Sequence, residues 1–387
     1  MAEGRRQKVV GKKAGGKWEK TGLANQQFND STVSCFSCRG STMMPGRKIR
    51  SKKIIISRVD NLGDVVLTLP VAGALKEHFP GTYVYFLGKP YTQSVIENCR
   101  FVDAYLNWDD FRSDPVRLAD TGADTIVHVF PQRQVAEAAR EAKIRHRIGT
   151  SHRLYHWPTC NRLVNLGRKN SRYHESQLSI QLLRPLGIRK IYPLTEIPGL
   201  YGWDKLPAPQ QSYEHLLDKN RFNLMVHMKS YGNAKEWPAI SYLELLRSLP
   251  ADRFNILLTG TAEEGKIIRE EVPDILKMSN VTDICGLFSL EDFLRLIQYA
   301  DGMLACSTGP LHVASACGIR VLGLYPGARP KHPGRWGPVG INAEVITDNN
   351  PLDAPLEIPV KAVRERLMGW IQRERAIKQP SNEEKKP

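Results

Sequence analysis

Asp64 closes the run Ser57-Arg58-Val59-Asp60-Asn61-Leu62-Gly63-Asp64, where a short apolar segment passes through a loop into a stretch of helical period. Gly63 permits close backbone approach. A carboxylate at a helix start can cap that helix, or it can take a proton from a bound hydroxyl. A second run, Ser307-Thr308-Gly309-Pro310-Leu311-His312, also ends a strand and opens a helix. Pro310 suits the first helical turn, where no N–H is needed, and Thr308 or Ser307 can cap it. Such a start offers backbone N–H groups and the positive end of the helix dipole to an anion. His312, one turn in, either packs in the core or reaches a phosphate. A third run, His227 to Pro238, carries Lys235, which is either a solvated surface cation or a counter-charge for a departing diphosphate. The fourth, Tyr325-Pro326-Gly327-Ala328-Arg329-Pro330 continuing to Arg335-Trp336-Gly337-Pro338, reads as a stiff loop, structural or walling a pocket.

The elements that must hold these runs alternate. Ile54–Ser57, Tyr83–Leu87 and Asp124–Phe130 read as strands, with helical period over Val65–Phe79 and around Val95. The alternation restarts after Asn223. Strands are expected at Leu224–His227, Ile256–Thr259, Gly302–Ala305 and Val321–Tyr325, and helices at Ile240–Ser248, Glu264–Glu270, Leu290–Tyr299 and Leu311–Cys317. This order predicts an α/β chain of two doubly wound parallel-sheet domains. The expected division is a basic tail over 1–50, a first domain over 51–198, a linker over 199–221, a second domain over 222–358, and a terminal helix and tail over 359–387. No Gly-x-Gly-x-x-Gly follows a strand, which argues against the usual dinucleotide site. Each run above falls at a strand's carboxyl end, where open α/β sheets bind ligands.

The net charge of +15 is concentrated. Residues 1–50 hold 11 Lys or Arg against 3 acids, residues 133–172 hold 10 against 2, and the remainder sums to −1. The first stretch lacks periodicity and reads as a disordered tail, with Met43 and Met44 as candidate alternative starts. Within it, Gly11 to Lys17 approximates a phosphate loop, but Trp18 stands where a magnesium-binding hydroxyl belongs. Cys35 and Cys38 form one C-x-x-C without the second pair that structural zinc needs. No apolar run is long enough to span a bilayer, no secretory leader is apparent, and the seven cysteines suggest no disulfide framework. A cytoplasmic protein is expected. The high pI raises a nucleic-acid-binding alternative, but no zinc-finger or RNA-binding signature accompanies it.

Taken in order, the runs resemble glycosyltransferase family 9, the ADP-heptose:lipopolysaccharide heptosyltransferases, from about Lys52 to Trp370. The resemblance rests on R-x-D-N-x-G-D at Arg58–Asp64, His174-Glu175, K-x-W-P at Lys235–Pro238, S-T-G-P-L-H at Ser307–His312 and R-W-G-P at Arg335–Pro338. It implies a GT-B fold and an inverting, metal-independent transfer with no cofactor, and the chain contains no Asp-x-Asp. Asp64 would be the general base. Lys235, Thr259, Gly260, Ser307, Thr308, Gly309 and His312 would hold a nucleotide-sugar donor. Arg58, Arg145 and Arg147 would meet a lipid A-linked saccharide acceptor. The basic segment 133–172 would bind its anionic groups and hold the protein, expected to be a monomer, against the anionic inner face of the inner membrane. Ser307 departs from the Asp usual in core heptosyltransferases, which leaves another nucleotide sugar open.

Overall fold

The computed structural model describes residues 51–168, 171–203, 211–230, 232 and 234–378. The expected tails at 1–50 and 379–387, with the phosphate-loop-like and C-x-x-C segments, lie outside the described residues, as does the middle of the expected linker.

Two six-stranded sheets carry the chain, all of their strand pairs parallel. The first comprises β1 (Lys53–Ser57), β2 (Tyr83–Gly88), β3 (Ala104–Asn107), β4 (Thr125–His128), β5 (His146–Thr150) and β6 (Arg162–Val164), in the order β3-β2-β1-β4-β5-β6. The second comprises β7 (Phe222–His227), β8 (Phe254–Thr259), β9 (Val281–Asp283), β10 (Gly302–Cys306), β11 (Arg320–Pro326) and β12 (Ala343–Asp348), in the order β12-β11-β10-β7-β8-β9. Counted from its own first strand, each sheet therefore runs 3-2-1-4-5-6. The order reverses between β1 and β4, and again between β7 and β10. Those two crevices are where a doubly wound sheet binds ligands.

Helices cover both faces, so the central strands must be apolar throughout. All six residues of β7 and of β8 are buried. Edge strands escape this demand, and β3 is only half-buried along its length. One apolar cluster includes Ile54, Val84 and Val127 of the first sheet and Met225 and Met303 of the second. The helices Leu62–Val66 and Gly309–Ala316 pack against each other within it, where a Cβ on Gly309 would lie 3.0 Å from the Leu62 side chain.

The structure modifies two sequence expectations. The helical stretch Val65–Phe79 is two helices, Leu62–Val66 and Pro70–His78, because Pro70 starts the second and cannot continue the first. Residues 199–203, expected in the linker, pack on the first domain. Leu200 and Tyr201 are buried, Cys99 and Trp203 form an antiparallel bridge, and a Cβ on Gly73 would come within 2.4 Å of the Leu200 carbonyl. The terminal helix Val360–Lys378 buries Val363, Leu367 and Trp370 in the second domain's core.

Candidate active site

β1 ends in the loop that delivers Asp64. The short helix Leu62–Val66 begins there, and Asp64 lies in its first turn. Its carboxylate is not the cap: Asn61 occupies the N-cap position, and it makes no side-chain cap bond. Asp64 instead accepts from Arg58, a fully buried guanidinium that also meets Asp60 at 3.3 Å and Glu175 at 3.5 Å. Burial raises the Asp64 carboxyl to about 6, against the opposing charge of Arg58, while Asp60 and Glu175 add to the rise. A carboxyl held near 6 is mostly ionised at neutral pH and is a stronger base than an ordinary carboxylate, so it can accept the proton of a bound hydroxyl.

Across the crevice the second sheet presents the helix Gly309–Ala316. Thr308 stands at its N-cap in extended backbone, yet its side chain makes no cap bond, contrary to the sequence expectation. Thr308 Oγ1 is buried without a partner, and so is Nδ1 of His312. Burial pushes the His312 imidazole down to about 3, and His174 adds to this, so the ring is neutral. The first turn is thus left with its N–H groups and an unsatisfied hydroxyl, which is the state that suits an anion.

Lys235 follows β7, the neighbour of β10. Its ammonium donates to the Pro351 carbonyl at 2.9 Å and lies 3.7 Å from Asp348. Thr259 ends β8 and shares its carbonyl with His227 Nδ1 at 3.0 Å. Gly260 follows, where a Cβ would crowd Glu264 at 3.2 Å. A cavity of about 940 Å³ joins these pieces. Asp64, Gly63 and Tyr91 line its first-domain wall; Lys235, Thr259, Gly260, Ser307, Thr308, Gly309 and His312 line the other. Ile284, Phe288, Leu290 and Phe293 add an apolar pocket suited to a flat ring. Sequence reasoning missed these four, because an amphipathic segment such as Leu290–Ile297 reads simply as core.

The three arginines assigned to the acceptor do not line the cavity. Arg58 stands behind Asp64, committed to carboxylates. Arg147 is near the amino end of β5, opposite the crevice, with its guanidinium on the carbonyls of Thr159 at 2.6 Å and Ile144 at 2.5 Å. Arg145 precedes that strand and faces solvent. Parallel register fixes the correction: residues entering a strand lie at the end away from the ligand.

The His174-Glu175 and Arg335–Pro338 motifs meet across the two domains. His174 caps the helix Glu175–Gln181 through Nδ1, and its Nε2 lies 3.0 Å from the Gly337 carbonyl. Glu175, fully buried, pairs with Arg168 at 2.8 Å and with Arg335 at 3.2 Å besides Arg58. Burial alone would raise its carboxyl, but Arg168, Arg58 and Arg335 outweigh that and hold it below the ordinary range.

The sequence model of glycosyltransferase family 9 (heptosyltransferase) matches residues 124–358. The chain belongs to glycosyltransferase family 9. It is 27% identical over 301 residues to a Haemophilus influenzae protein ascribed only to glycosyltransferases in general, covering 74% of this chain and 86% of that one. It is 23% identical over 285 residues to the lipopolysaccharide core heptosyltransferase OpsX of the same organism, covering 71% and 79%. The fold matches the family 9 glycosyltransferase of Veillonella parvula with a TM-score of 0.68 at 17% identity, over 83% of this chain and 97% of that one. It matches the ADP-heptose lipopolysaccharide heptosyltransferase II of E. coli with a TM-score of 0.66 at 19% identity, over 84% and 100%. The two sheets are accordingly the two halves of a GT-B fold, and the enzyme is a glycosyltransferase related to lipopolysaccharide heptosyltransferases.

Proposed function

We propose that this family 9 enzyme transfers heptose from ADP-heptose to the inner core of lipopolysaccharide, with inversion and without a metal. The observation that carries the reading is one cavity with Asp64 on one wall and Lys235 beside an uncapped helix start on the other. Asp64 takes the proton of the acceptor hydroxyl. The oxygen attacks the anomeric carbon from the face opposite the diphosphate, the bond to the diphosphate breaks, and the released charge meets Lys235 and the N–H groups around Gly309. The names of relatives support the sugar: OpsX is a core heptosyltransferase, and a similar E. coli heptosyltransferase, WaaC, has been solved with ADP. Ser307 favours keeping a second reading, a different nucleotide sugar, because no carboxylate stands at that position.

Titrating the protein calorimetrically with ADP, UDP and GDP, without added metal, separates the readings. ADP is expected to bind at least about tenfold more tightly, a difference of roughly 1.4 kcal/mol. Preference for UDP or GDP would replace the donor and retain the fold; binding of none of them would overturn the assignment of this cavity as the nucleotide-sugar site.

The acceptor reading extends to an anionic membrane surface. After the carboxyl end of β5, two strands from β1, the chain exposes Leu154 (88%) and Trp157 (63%) with Arg153 between β5 and them. Tyr155 ties the segment to the Pro131 carbonyl beyond β4, and Trp157 Nε1 donates to the Ser151 carbonyl at 3.1 Å, leaving its ring free. An apolar tip beside basic residues suits an anionic bilayer. Replacing both by glutamate is expected to weaken binding to phosphatidylglycerol-containing vesicles about tenfold. Equal sedimentation of both proteins with these vesicles would remove this surface from the reading.

A further inference from the structure

The six charges of the cluster that holds Asp64 balance only when both domains contribute. Arg58, Arg168 and Arg335 face Asp60, Asp64 and Glu175, three cations against three anions. Five of these groups belong to the first domain; Arg335 comes from the second. Glu175 is the hub. One of its oxygens takes Arg58 and Arg168, the other takes both Nε and Nη2 of Arg335, at 3.4 Å and 3.2 Å. Arg335 also donates to the Arg168 carbonyl at 3.3 Å and lies over the Trp336 ring, 4.6 Å from its centroid.

Resting on the assignment of Asp64 as base, we propose that Glu175 is a positioning residue that couples closure of the two domains to the setting of Asp64. When the cleft is closed, Arg335 draws Glu175, and Arg58 is shared between Glu175 and Asp64 in a fixed place. When it opens, Glu175 loses Arg335, its partner from the second domain, and bears more strongly on Arg58, which is drawn from Asp64. The first-domain cluster then carries one excess negative charge. The base is therefore set only around a closed donor site, which restrains reaction before both substrates are enclosed. A buried, multiply paired carboxylate suits such a role because removing one partner leaves a charge without compensation.

The groups that bear on Asp64 are Arg58 and Asp60 on its own loop, Tyr91 after β2, and Arg168 and Glu175 from beyond β6; the neutral His312 ring packs against Gly63. Their signs give two variants opposite effects. Glu175→Gln removes a negative charge and should move the acidic limb of the kcat profile to lower pH. Arg335→Gln removes a positive charge and should move it to higher pH; the first shift should be about one unit and the second smaller, because Arg335 reaches Asp64 through Glu175. Both should lower kcat by about 10²-fold, the scale of a misplaced catalytic group. Tm should fall in both because a buried pair is broken, with the protein still folded at the assay temperature. ADP affinity should change less than about threefold in Glu175→Gln, whose side chain does not line the cavity. Combining them should cost little more than either alone, since both break one clasp.

The measurement is kcat against pH for the full chain, with ADP-heptose and a lipid A-linked inner-core saccharide. Opposite shifts support the coupling. Shifts in the same direction, no shift, or rate losses matched by lost ADP binding or lost folding overturn it. Asp64→Asn, run alongside, keeps the two ideas separate. If that variant transfers sugar normally, the base assignment fails; if it is inactive and the profiles of the other two do not diverge, only the coupling fails.

Discussion

Asp64→Asn should reduce kcat by about 10²- to 10⁴-fold, the range associated with losing a positioned general base, while ADP affinity stays within about twofold. The separation follows from the two walls of the cavity. The proposed diphosphate contacts belong to the second domain, and Asp64 to the first. Asparagine preserves the shape of the side chain, and Arg58 keeps Asp60 and Glu175, so no buried cation is stranded. Stopped-rate assays of transfer beside calorimetry with ADP check this, and near-normal kcat would move the base elsewhere. The parent enzyme's kcat should also fall as pH drops through about 6, because burial holds the Asp64 proton to that point. Protonation removes the base, so the loss lies on the acidic side, and the asparagine variant should lack that limb.

The parts of this site that were legible in the sequence are those with a local cause. Asp64, Lys235 and Ser307 to His312 follow apolar runs that must be central parallel strands, so their place at the carboxyl ends needed no structure. Strands β3, β5, β6, β9 and β12 were not legible as strands. β5 reads His146-Arg147-Ile148-Gly149-Thr150 and β9 Val281-Thr282-Asp283, too polar or too short to signal burial on two faces. That gap explains the misplacement of Arg145 and Arg147: without β5, a basic stretch shows its charge but not which end of the sheet it occupies. The buried setting of Arg58 was hidden for another reason. Its neighbours Asp60 and Asp64 were visible, but its burial depends on Glu175, more than a hundred residues away, and on a fold that closes over both. The same distance hid the meeting of His174-Glu175 with Arg335-Trp336-Gly337. Each motif was recognisable alone, and nothing in the spacing says that they touch.

Lys235→Ala should lower kcat by about 10²- to 10³-fold, comparable to losing one preorganised group that stabilises transition-state charge, and should weaken ADP binding as well. The structure gives a reason to expect both. The Lys235 side chain is nearly buried and pairs with Asp348, whose Oδ1 is buried without a partner. Removing the ammonium therefore takes away a counter-charge and leaves the buried Asp348 carboxylate without its cation, next to the proposed diphosphate site. The second effect can be removed separately. Adding Asp348→Asn to the alanine variant should restore much of the ADP affinity by relieving that repulsion, but it supplies no cation and should leave kcat low. If the pair recovers both, Lys235 acts by neutralising Asp348, not by stabilising the leaving diphosphate. If it recovers affinity alone, the lysine acts on charge that appears in the transition state, which is the behaviour required of a group that assists departure.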